Sequence, residues 1–284
     1  MTGIVVHGGA GQVAPERFER LRAGVRAAAA AGDEVLAAGG SALDAVVSAV
    51  RVLEDDPEFN AGTGSALTRD GTVETDASVM DGATRRVGAV GAVPDLGRAV
   101  ALARAVLESG EHVLLAGPAA WRFAAEVGIA PAPPGSLVTE RARQRLAELH
   151  GTVGAVARDR EGRFAAATST GGIAGKRAGR VGDSPLAGAG TWADDACAVS
   201  ATGDGEAIIR VALAHALAVR ARSDHDLAAG AAAVLRELRA VTAGAAGLIA
   251  ITRDAFVSVQ LSATMPTAWV VNGDRGDSLG TQLP

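Results

Sequence analysis

Lysine is almost absent from this chain of 284 residues, and Lys176 is the only one. Schiff-base chemistry needs a lysine at a defined position, and a phosphate-binding P-loop needs one as well. Lys176 lies in neither setting, so the sequence excludes both classes of site. Long basic runs are also missing and the net charge is -5, which leaves no surface to neutralise nucleic-acid phosphates. We expect no nucleic-acid partner.

Cysteine and long apolar runs are equally scarce. Cys197 is the only cysteine, which excludes an internal disulfide framework and a multi-cysteine metal site. We expect it to be a small buried residue. The longest apolar stretches, residues 27–31 and 211–219, are too short or too interrupted to span a bilayer, and the amino terminus lacks a signal-peptide pattern. The sequence therefore predicts a soluble, cytoplasmic protein with no membrane partner.

The chain is 48% hydrophobic, enough to bury one large core. The residue patterns predict strands at residues 4–6, 73–80, 87–93, 112–115, 153–157, 164–169, 197–202, 248–252, 256–261 and 268–271. They predict helices at residues 15–31, 41–53, 94–109, 118–127, 136–149, 206–222 and 226–241, with a proline-rich linker at 129–135 and a polar tail after 271. Runs of strands alternating with runs of helices favour stacked antiparallel sheets covered by helices.

The first strand is followed by a pattern typical of dinucleotide binding. Gly9-x-Gly11-x-x-Ala14 comes directly after Ile4-Val5-Val6, as the Rossmann fingerprint requires. That fingerprint also needs a second strand ending in an acidic residue about 20 residues further on. The acidic pair here, Asp33 and Glu34, lies between alanine-rich helical stretches instead. The rest of the unit therefore fails, and a nucleotide-dependent oxidoreductase is not favoured.

Four blocks in the second half of the chain carry more information. They are Gly-Thr-Val-Gly at 151–154, Thr-Ser-Thr-Gly-Gly at 168–172, Gly-Arg-Val-Gly-Asp-Ser-Pro at 179–185 and Ala-Thr-Gly-Asp-Gly-Glu at 201–206. Together with residues 7–11, 40–46 and 53–64, their order and spacing resemble the isoaspartyl peptidase and plant-type asparaginase family. The resemblance implies an α+β fold, a four-layer αββα sandwich of the N-terminal-nucleophile hydrolase type. It also implies one domain over residues 1–284, cut between Gly151 and Thr152 into an α chain 1–151 and a β chain 152–284, with two such heterodimers associated.

The expected nucleophile is Thr152. A threonine hydroxyl is a weak nucleophile at neutral pH and needs an adjacent base. An α-amino group has a pKa of about 7.7 to 8.0, close to the range in which a general base works best. Cleavage before Thr152 would give the residue its own base, and glycine at 151 keeps side-chain clashes away from the scissile bond. A lone threonine in a strand is usually there for packing, so this interpretation rests on the surrounding blocks.

The resemblance implies roles for further residues. Thr170 would hydrogen-bond the Thr152 hydroxyl, and Thr202 with the amide of Gly203 would form the oxyanion hole. A substrate α-carboxylate would be held by Arg180 and the α-ammonium group by Asp183, with Gly205 beside them. Without the family context, Arg180 and Asp183 would be interpreted as a surface ion pair of little energetic value. Without that context, the Thr170 hydroxyl would be interpreted as a loop cap, and Thr202 with Gly203 as a turn before the next helix.

The segment 53–63 resembles a cation loop. The resemblance implies a structural sodium ion held by main-chain carbonyls, with no other cofactor required, and the ligands would be Leu53, Glu54, Asp56, Phe59, Ala61 and Thr63. Calcium would need carboxylates turned inward, and a charged helix end with no ion is the other interpretation. The nearby Asn60 amide, like the turn after His7, would support the position of the nucleophile.

Three departures from the family pattern bear on the substrate. Asp204 stands where typical members have threonine, and a carboxylate there opposes an oxyanion unless it points away or is neutralised. The glycine-rich loop is reduced to residues 243–247, and an Asn-Thr-Glu-Gly-Met stretch is replaced at 260–265. We expect hydrolysis of the β-aspartyl amide of isoaspartyl dipeptides or L-asparagine. The alternatives are another amide, such as a glycosylasparagine or a biosynthetic intermediate, and an unprocessed binding protein without catalysis.

Overall fold

The computed structural model describes residues 2–144, 151–223, 226–261 and 264–283. Their strands in chain order are β1 (Gly3–His7), β2 (Glu74–Asp81), β3 (Val87–Pro94), β4 (Leu114–Ala116), β5 (Val153–Arg158), β6 (Phe164–Thr170), β7 (Thr191–Ala193), β8 (Cys197–Gly203), β9 (Ala246–Thr252), β10 (Phe256–Gln260), β11 (Thr267–Val271), β12 (Asp274–Ser278) and β13 (Thr281–Gln282). The helices are α1 (Phe18–Ala37), α2 (Ala42–Asp55), α3 (Ala99–Ser109), α4 (Ala120–Glu126), α5 (Glu140–Gln144), α6 (Gly205–Val211), α7 (Leu213–Ser223) and α8 (Leu227–Thr242).

These strands form two sheets. The larger sheet has the order β12-β11-β1-β5-β6-β2-β3-β4, and the smaller has the order β13-β10-β9-β8-β7. All neighbours are antiparallel except β3 with β4 and β10 with β13. Because β1 pairs antiparallel with both β5 and β11, the glycine motif after β1 does not open the parallel βαβ unit that dinucleotide binding requires.

Three apolar clusters define four layers. One lies between α1, α2 and α3 and the larger sheet, and another lies between α6, α7 and α8 and the smaller sheet. The third lies between the sheets and includes Val5, Met80, Val156, Phe164 and Ile249. The fold is therefore a mixed α+β sandwich of the N-terminal-nucleophile hydrolase type, as predicted. The fold type was predicted from the family resemblance of the sequence motifs and not from the helix and strand pattern alone.

The central strands carry small residues because both of their faces are covered. Ala165, Ala166 and Ala167 in β6 are fully buried, two facing the helices and one facing the other sheet. Helix starts follow the expected chemistry. The Ser41 hydroxyl accepts a hydrogen bond from Asp44 N at α2, and the Asp226 carboxylate accepts one from Ala229 N at α8.

Several predicted boundaries were wrong. The helix predicted from residue 94 begins only at Ala99, because Asp95 has a positive φ of 52° directly after β3. The helix predicted over 206–222 is two helices, divided at Ala212 with φ 48°. The first turn predicted at residue 15 is a 3-10 helix, and α1 continues to Ala37.

The sequence also missed three strands. Strand β7 lies between the strands predicted at 164–169 and 197–202, where no strand was predicted, and β12 and β13 lie in the predicted polar tail. Asp277 in β12 forms ion pairs with Arg22 and Arg26 of α1. Of the helix predicted at 136–149, residues 140–144 are helical. Residues 145–149 of that prediction lie outside the described residues, as do Ser262 and Ala263 of the altered 260–265 segment.

Among the described residues, no helix is long and apolar enough to cross a membrane. Cys197 is fully buried in the cluster between the smaller sheet and its helices. Its predicted place as a small interior residue is confirmed.

Candidate active site

The site begins at the peptide bond between Gly151 and Thr152, directly before β5. The Gly151 carbonyl oxygen accepts two hydrogen bonds, from Asn60 Nδ2 at 2.5 Å and from Thr170 Oγ1 at 3.0 Å. Asn60 is itself fixed, because Nδ2 also donates to Gly172 O at 2.7 Å and Oδ1 accepts from Ala66 N at 2.7 Å. The carbonyl is thus held between two donors whose positions are set by the fold.

The Thr152 side chain is buried, with 6% of the residue exposed. Its hydroxyl donates to Thr170 Oγ1 at 3.3 Å, and Thr170 Oγ1 also accepts from Gly172 N at 2.9 Å. The predicted contact between the two threonines is therefore present. Thr170 ends β6, which pairs with β5, so neighbouring strands of one sheet bring the two hydroxyls together.

Gly9 packs against this peptide bond from the other side. It has a φ of 99°, and a Cβ there would lie 3.0 Å from both Gly151 Cα and Thr152 N. Such a distance is too short for an ordinary side chain, and the backbone conformation itself favours glycine. Gly9, the first glycine of the motif that imitates a dinucleotide fingerprint, therefore allows a close approach to Thr152.

His7 is fully buried beneath the nucleophile. Gly9 N donates to its Nδ1 at 3.3 Å, and Nε2 lies 3.0 Å from Ser200 Oγ. Burial lowers the pKa of His7 to about 3, although a hydrogen bond to the Thr152 backbone acts in the opposite direction. The ring is neutral at physiological pH, and the Gly9 bond puts its proton on Nε2. His7 is therefore suited to a positioning role and not to acid–base chemistry.

Thr202 and Gly203 end β8 beside the same turn. Thr202 is fully buried, and its hydroxyl accepts a hydrogen bond from Ala10 N at 3.1 Å. Since a hydroxyl that accepts a bond keeps its own proton, Thr202 can still donate to an oxygen. Gly203 has a φ of 136°, and a Cβ there would lie 2.5 Å from Ala245 O. This backbone therefore requires glycine.

Two segments that depart from the family pattern, Asp204 and residues 243–247, contact each other. Asp204 N donates to Ala245 O at 2.9 Å, and the Asp204 carboxylate accepts from Ala245 N at 3.3 Å. One Asp204 oxygen is thus directed toward the shortened loop. Met265, from the other altered segment, packs with its Sδ against Gly247 of that loop.

Arg180, Asp183 and Gly205 lie together. A Cβ on Gly205 would be 2.7 Å from Arg180 Nη2 and 2.9 Å from Asp183 Oδ1. The Arg180 guanidinium forms a bidentate pair with Glu206, through Nε at 2.9 Å and Nη2 at 2.8 Å. The interpretation of Arg180 and Asp183 as a surface ion pair is therefore wrong. Arg180 pairs with Glu206, whereas Asp183 is buried.

Asp183 is only 4% exposed, and its Oδ2 has no hydrogen-bond partner in the described part of the chain. Burial raises the pKa of the Asp183 carboxyl to about 7, and its own backbone N–H and the charge of Arg180 offset this only in part. A cationic group delivered by a ligand would stabilise the ionised form. Asp183 therefore has the properties of a receptor for an ammonium group.

Several supporting residues had no signal in the sequence. Asp76 is fully buried and accepts hydrogen bonds from Ala92 N and from Gly182 N, which fixes the loop that carries Arg180. Lys176 is buried and donates to Glu74 O at 2.8 Å, and burial lowers the pKa of its amine. Glu206 belongs to a recognised block, but its pairing with Arg180 depends on the tertiary fold.

The loop at 53–63 is closed by its own backbone. Thr63 N donates to Glu54 O at 2.8 Å, and Phe59 N donates to Asp56 O at 3.1 Å. The acidic side chains face arginines, since Asp55 pairs with Arg98, Asp56 with Arg20, and Glu58 with Arg17 and Arg141. The described residues contain no group of three or more His, Cys, Asp or Glu side chains that could hold a metal ion. The carboxylate set needed for calcium is therefore not formed there.

Glu54 lies at the base of this loop and is fully buried. Its Oε1 accepts from Ser169 Oγ at 2.6 Å and from Val100 N at 2.9 Å, while Oε2 has no partner among the described side chains and backbone groups. Burial raises the pKa of the Glu54 carboxyl to about 7, although the two donated hydrogen bonds lower it. The Ser169 contact connects the loop to the residue next to Thr170.

Comparison with known proteins places this geometry in a family. The family model described as asparaginase matches residues 1–150 and 146–279. The isoaspartyl peptidase/L-asparaginase of Rattus norvegicus is 45% identical, over 95% of this chain and 86% of the relative. That of Homo sapiens is 43% identical over 99% of both chains. The isoaspartyl peptidase of Salmonella typhimurium is 42% identical, over 95% of this chain and 96% of the relative. These matches extend over nearly the whole chain, which belongs to the asparaginase family that includes these isoaspartyl peptidases.

Proposed function

We propose that this chain is a self-processing amidohydrolase that cuts itself at Gly151–Thr152 and then hydrolyses the β-amide of L-asparagine and of isoaspartyl dipeptides. Membership of the asparaginase family makes it a hydrolase, and the relatives' names supply the substrate class. The observation that carries the proposal is the pair of donors on the Gly151 carbonyl beside the buried Thr152 hydroxyl.

Self-cleavage would follow from that arrangement. The Thr152 hydroxyl oxygen attacks the Gly151 carbonyl carbon, and an ester forms between Gly151 and Thr152. The peptide C–N bond breaks, and the hydroxyl proton passes to the Thr152 nitrogen. Water then hydrolyses the ester and releases a Gly151 carboxylate and a free Thr152 α-amine. Negative charge grows on the Gly151 oxygen during the attack, where Asn60 Nδ2 and Thr170 Oγ1 already donate.

Turnover would use the new amine. The Thr152 α-amine takes the proton of the Thr152 hydroxyl, whose oxygen attacks the β-carbonyl carbon of the substrate. The Thr202 hydroxyl and the Gly203 amide would stabilise the oxyanion. As the C–N bond breaks, the ammonium group of Thr152 returns the proton to the leaving nitrogen. Water then resolves the β-aspartyl ester by the same route.

Substrate binding would divide between two charged groups. Asp183 takes the α-ammonium group, and the position of its Oδ1 beside Gly205 and the Arg180 guanidinium supports this role. Arg180 takes the α-carboxylate through its Nη1 donors, since Glu206 accepts from its Nε and Nη2. The Asp204 carboxylate is directed in part toward Ala245, so it does not by itself argue for a different amide.

We also propose that the loop at 53–63 holds a structural sodium ion. Each bonded carbonyl in the loop accepts one N–H and keeps a second lone pair, and the buried Glu54 carboxylate would be compensated by a nearby cation. The carbonyls of Leu53, Glu54, Asp56, Phe59, Ala61 and Thr63 would hold the ion, which would stiffen the loop next to Asn60. We expect replacement of sodium chloride by choline chloride to lower the Tm, and an unchanged Tm would remove the ion from the account.

The mature molecule is proposed to be one domain of two chains, and two such heterodimers are proposed to associate in the cytoplasm. Sedimentation of the processed protein tests the assembly. A single αβ unit at micromolar concentration would contradict it.

The hydrolase activity is tested by aspartate release from L-asparagine, β-aspartyl dipeptides and a glycosylasparagine. We expect release from the first two by the processed wild type and none from Thr152→Ala. Activity confined to the glycosylasparagine would favour the alternative amide. A chain that binds aspartate but hydrolyses nothing would favour the binding-protein alternative.

A further inference from the structure

We propose that Arg141, with Arg17 beside it, forms a subsite for the α-carboxylate of the amino acid that leaves from an isoaspartyl dipeptide. The inference rests on the proposed function and adds a specificity-determining contact to it. It starts from a pocket on the Gly151 side of the scissile bond.

This pocket is narrow, and the space that it offers to water-sized groups is about 50 Å³. Gly9, Asn60 and Gly151 form the wall next to the nucleophile, and Arg17 and Arg141 lie in the same lining. The substrate-binding residues Arg180, Asp183 and Gly205 are not part of it. The pocket is therefore a second compartment next to the scissile bond.

The chemistry of the reaction directs the leaving group toward this compartment. The leaving nitrogen must receive its proton from the Thr152 nitrogen, so the two atoms must come within hydrogen-bond reach. Gly9, whose built Cβ would be 3.0 Å from Thr152 N, lines the pocket, and so does Gly151. The residue attached to the leaving nitrogen would therefore extend into the pocket, whereas the aspartyl part points toward Arg180 and Asp183.

The two arginines of the pocket have one acidic partner in common. Arg141 Nη1 donates to Glu58 O at 3.2 Å and forms an ion pair with the Glu58 carboxylate. Arg17 Nη2 binds that carboxylate at 2.8 Å. Before self-cleavage, two guanidinium groups thus share one carboxylate. Cleavage would add the Gly151 carboxylate to the same lining, so the subsite depends on a free arginine donor and not on a surplus of positive charge.

Arg141 also has one donor group that is not used by Glu58. Its Nη2 is buried and has no hydrogen-bond partner within the described ranges. A buried donor without an acceptor is costly, and a hydrogen bond to a charged group removes that cost. The carboxylate of a leaving amino acid would satisfy this atom, while ammonia from L-asparagine would not reach it.

The test compares β-aspartyl-leucine with β-aspartyl-leucinamide, which lacks only the terminal negative charge. We expect processed wild type to prefer the acid. Arg141→Met should lower the ratio of the two kcat/KM values by about 10- to 100-fold, mainly through KM for the acid. Arg17→Met should lower the same ratio less. Arg143→Met, a matched change on the exposed side of α5, should keep the wild-type ratio.

Intact mass first establishes that each variant has been processed. If Arg141→Met does not mature, product inhibition of wild type by free leucine and by leucinamide gives the same comparison, and the free acid should inhibit more strongly.

Equal ratios in wild type and Arg141→Met, or equal inhibition by the two products, would overturn the subsite. Slower processing with an unchanged ratio would also overturn it, because Arg141 would then act on the Gly151 end. If wild type hydrolyses L-asparagine but neither dipeptide, the subsite fails while the amidohydrolase proposal stands. If it hydrolyses none of the three, both fail.

Discussion

Replacing Asn60 with alanine should slow self-cleavage without preventing folding. The change removes the Nδ2 donor that lies 2.5 Å from Gly151 O, where negative charge develops. Loss of one donor of this kind costs about 10²–10³-fold in rate. The substitution also removes the bonds to Gly172 O and Ala66 N, which contribute about 1 kcal/mol each to stability. The expected Tm is therefore lower, but the fold has other stabilising contacts.

The assay follows the intact 28.3 kDa chain by mass spectrometry of denatured samples taken from freshly purified protein over time. Circular dichroism and a thermal melt on the same samples establish that the variant is folded. Ser41→Ala, which removes a helix cap far along the chain from the site, serves as a control for modest destabilisation. A folded Asn60→Ala chain that processes at the wild-type rate would refute the assignment of Asn60 to the oxyanion.

Three other predictions follow from the same geometry. Gly9→Ala should slow processing and lower the Tm more than Gly71→Ala, because both glycines have positive φ but only Gly9 has atoms within 4 Å of the added carbon; equal effects would argue against a close-approach role. KM for L-asparagine should rise as the pH falls through about 7, where Asp183 becomes protonated. Asp183→Asn should raise KM and remove this pH dependence. A variant whose KM has the wild-type pH profile would exclude the ammonium contact. In choline chloride, wild type should lose stability as the pH rises from about 4.5 toward 7, because the folded pKa of Glu54 is raised above its unfolded value and the folded chain holds the extra proton. Denaturant titrations should find this loss reduced in Glu54→Gln, and an identical pH dependence in both proteins would contradict the burial argument.

Much of the fold and of the site could be predicted from the sequence. Thr152, Thr170, Thr202, Arg180 and Asp183 lie in recognisable blocks, and their spacing carries the family resemblance. Strand and helix positions followed from β-branched residues and apolar periodicity for most buried elements. Asn60 was identified as a support, although nothing in its local sequence indicates that its amide would contact Gly151.

What the sequence missed depends on contacts between distant segments. The pairs Arg180–Glu206 and Arg141–Glu58 join residues 26 and 83 positions apart, and no local pattern connects them. The break at Ala212 has neither glycine nor proline to indicate it, since an alanine adopts the left-handed conformation there. Strands β12 and β13 lie at sheet edges with polar, partly exposed residues, so apolar alternation could not identify them.

The most direct test of the account is the intact mass of purified, denatured wild type and of Thr152→Ala, followed over days. We expect two fragments in wild type, residues 1–151 and 152–284, and one uncut chain in the variant. A persistent single wild-type chain, or cleavage at Gly151–Thr152 in the Thr152→Ala protein, would contradict the claim that Thr152 is the processed nucleophile.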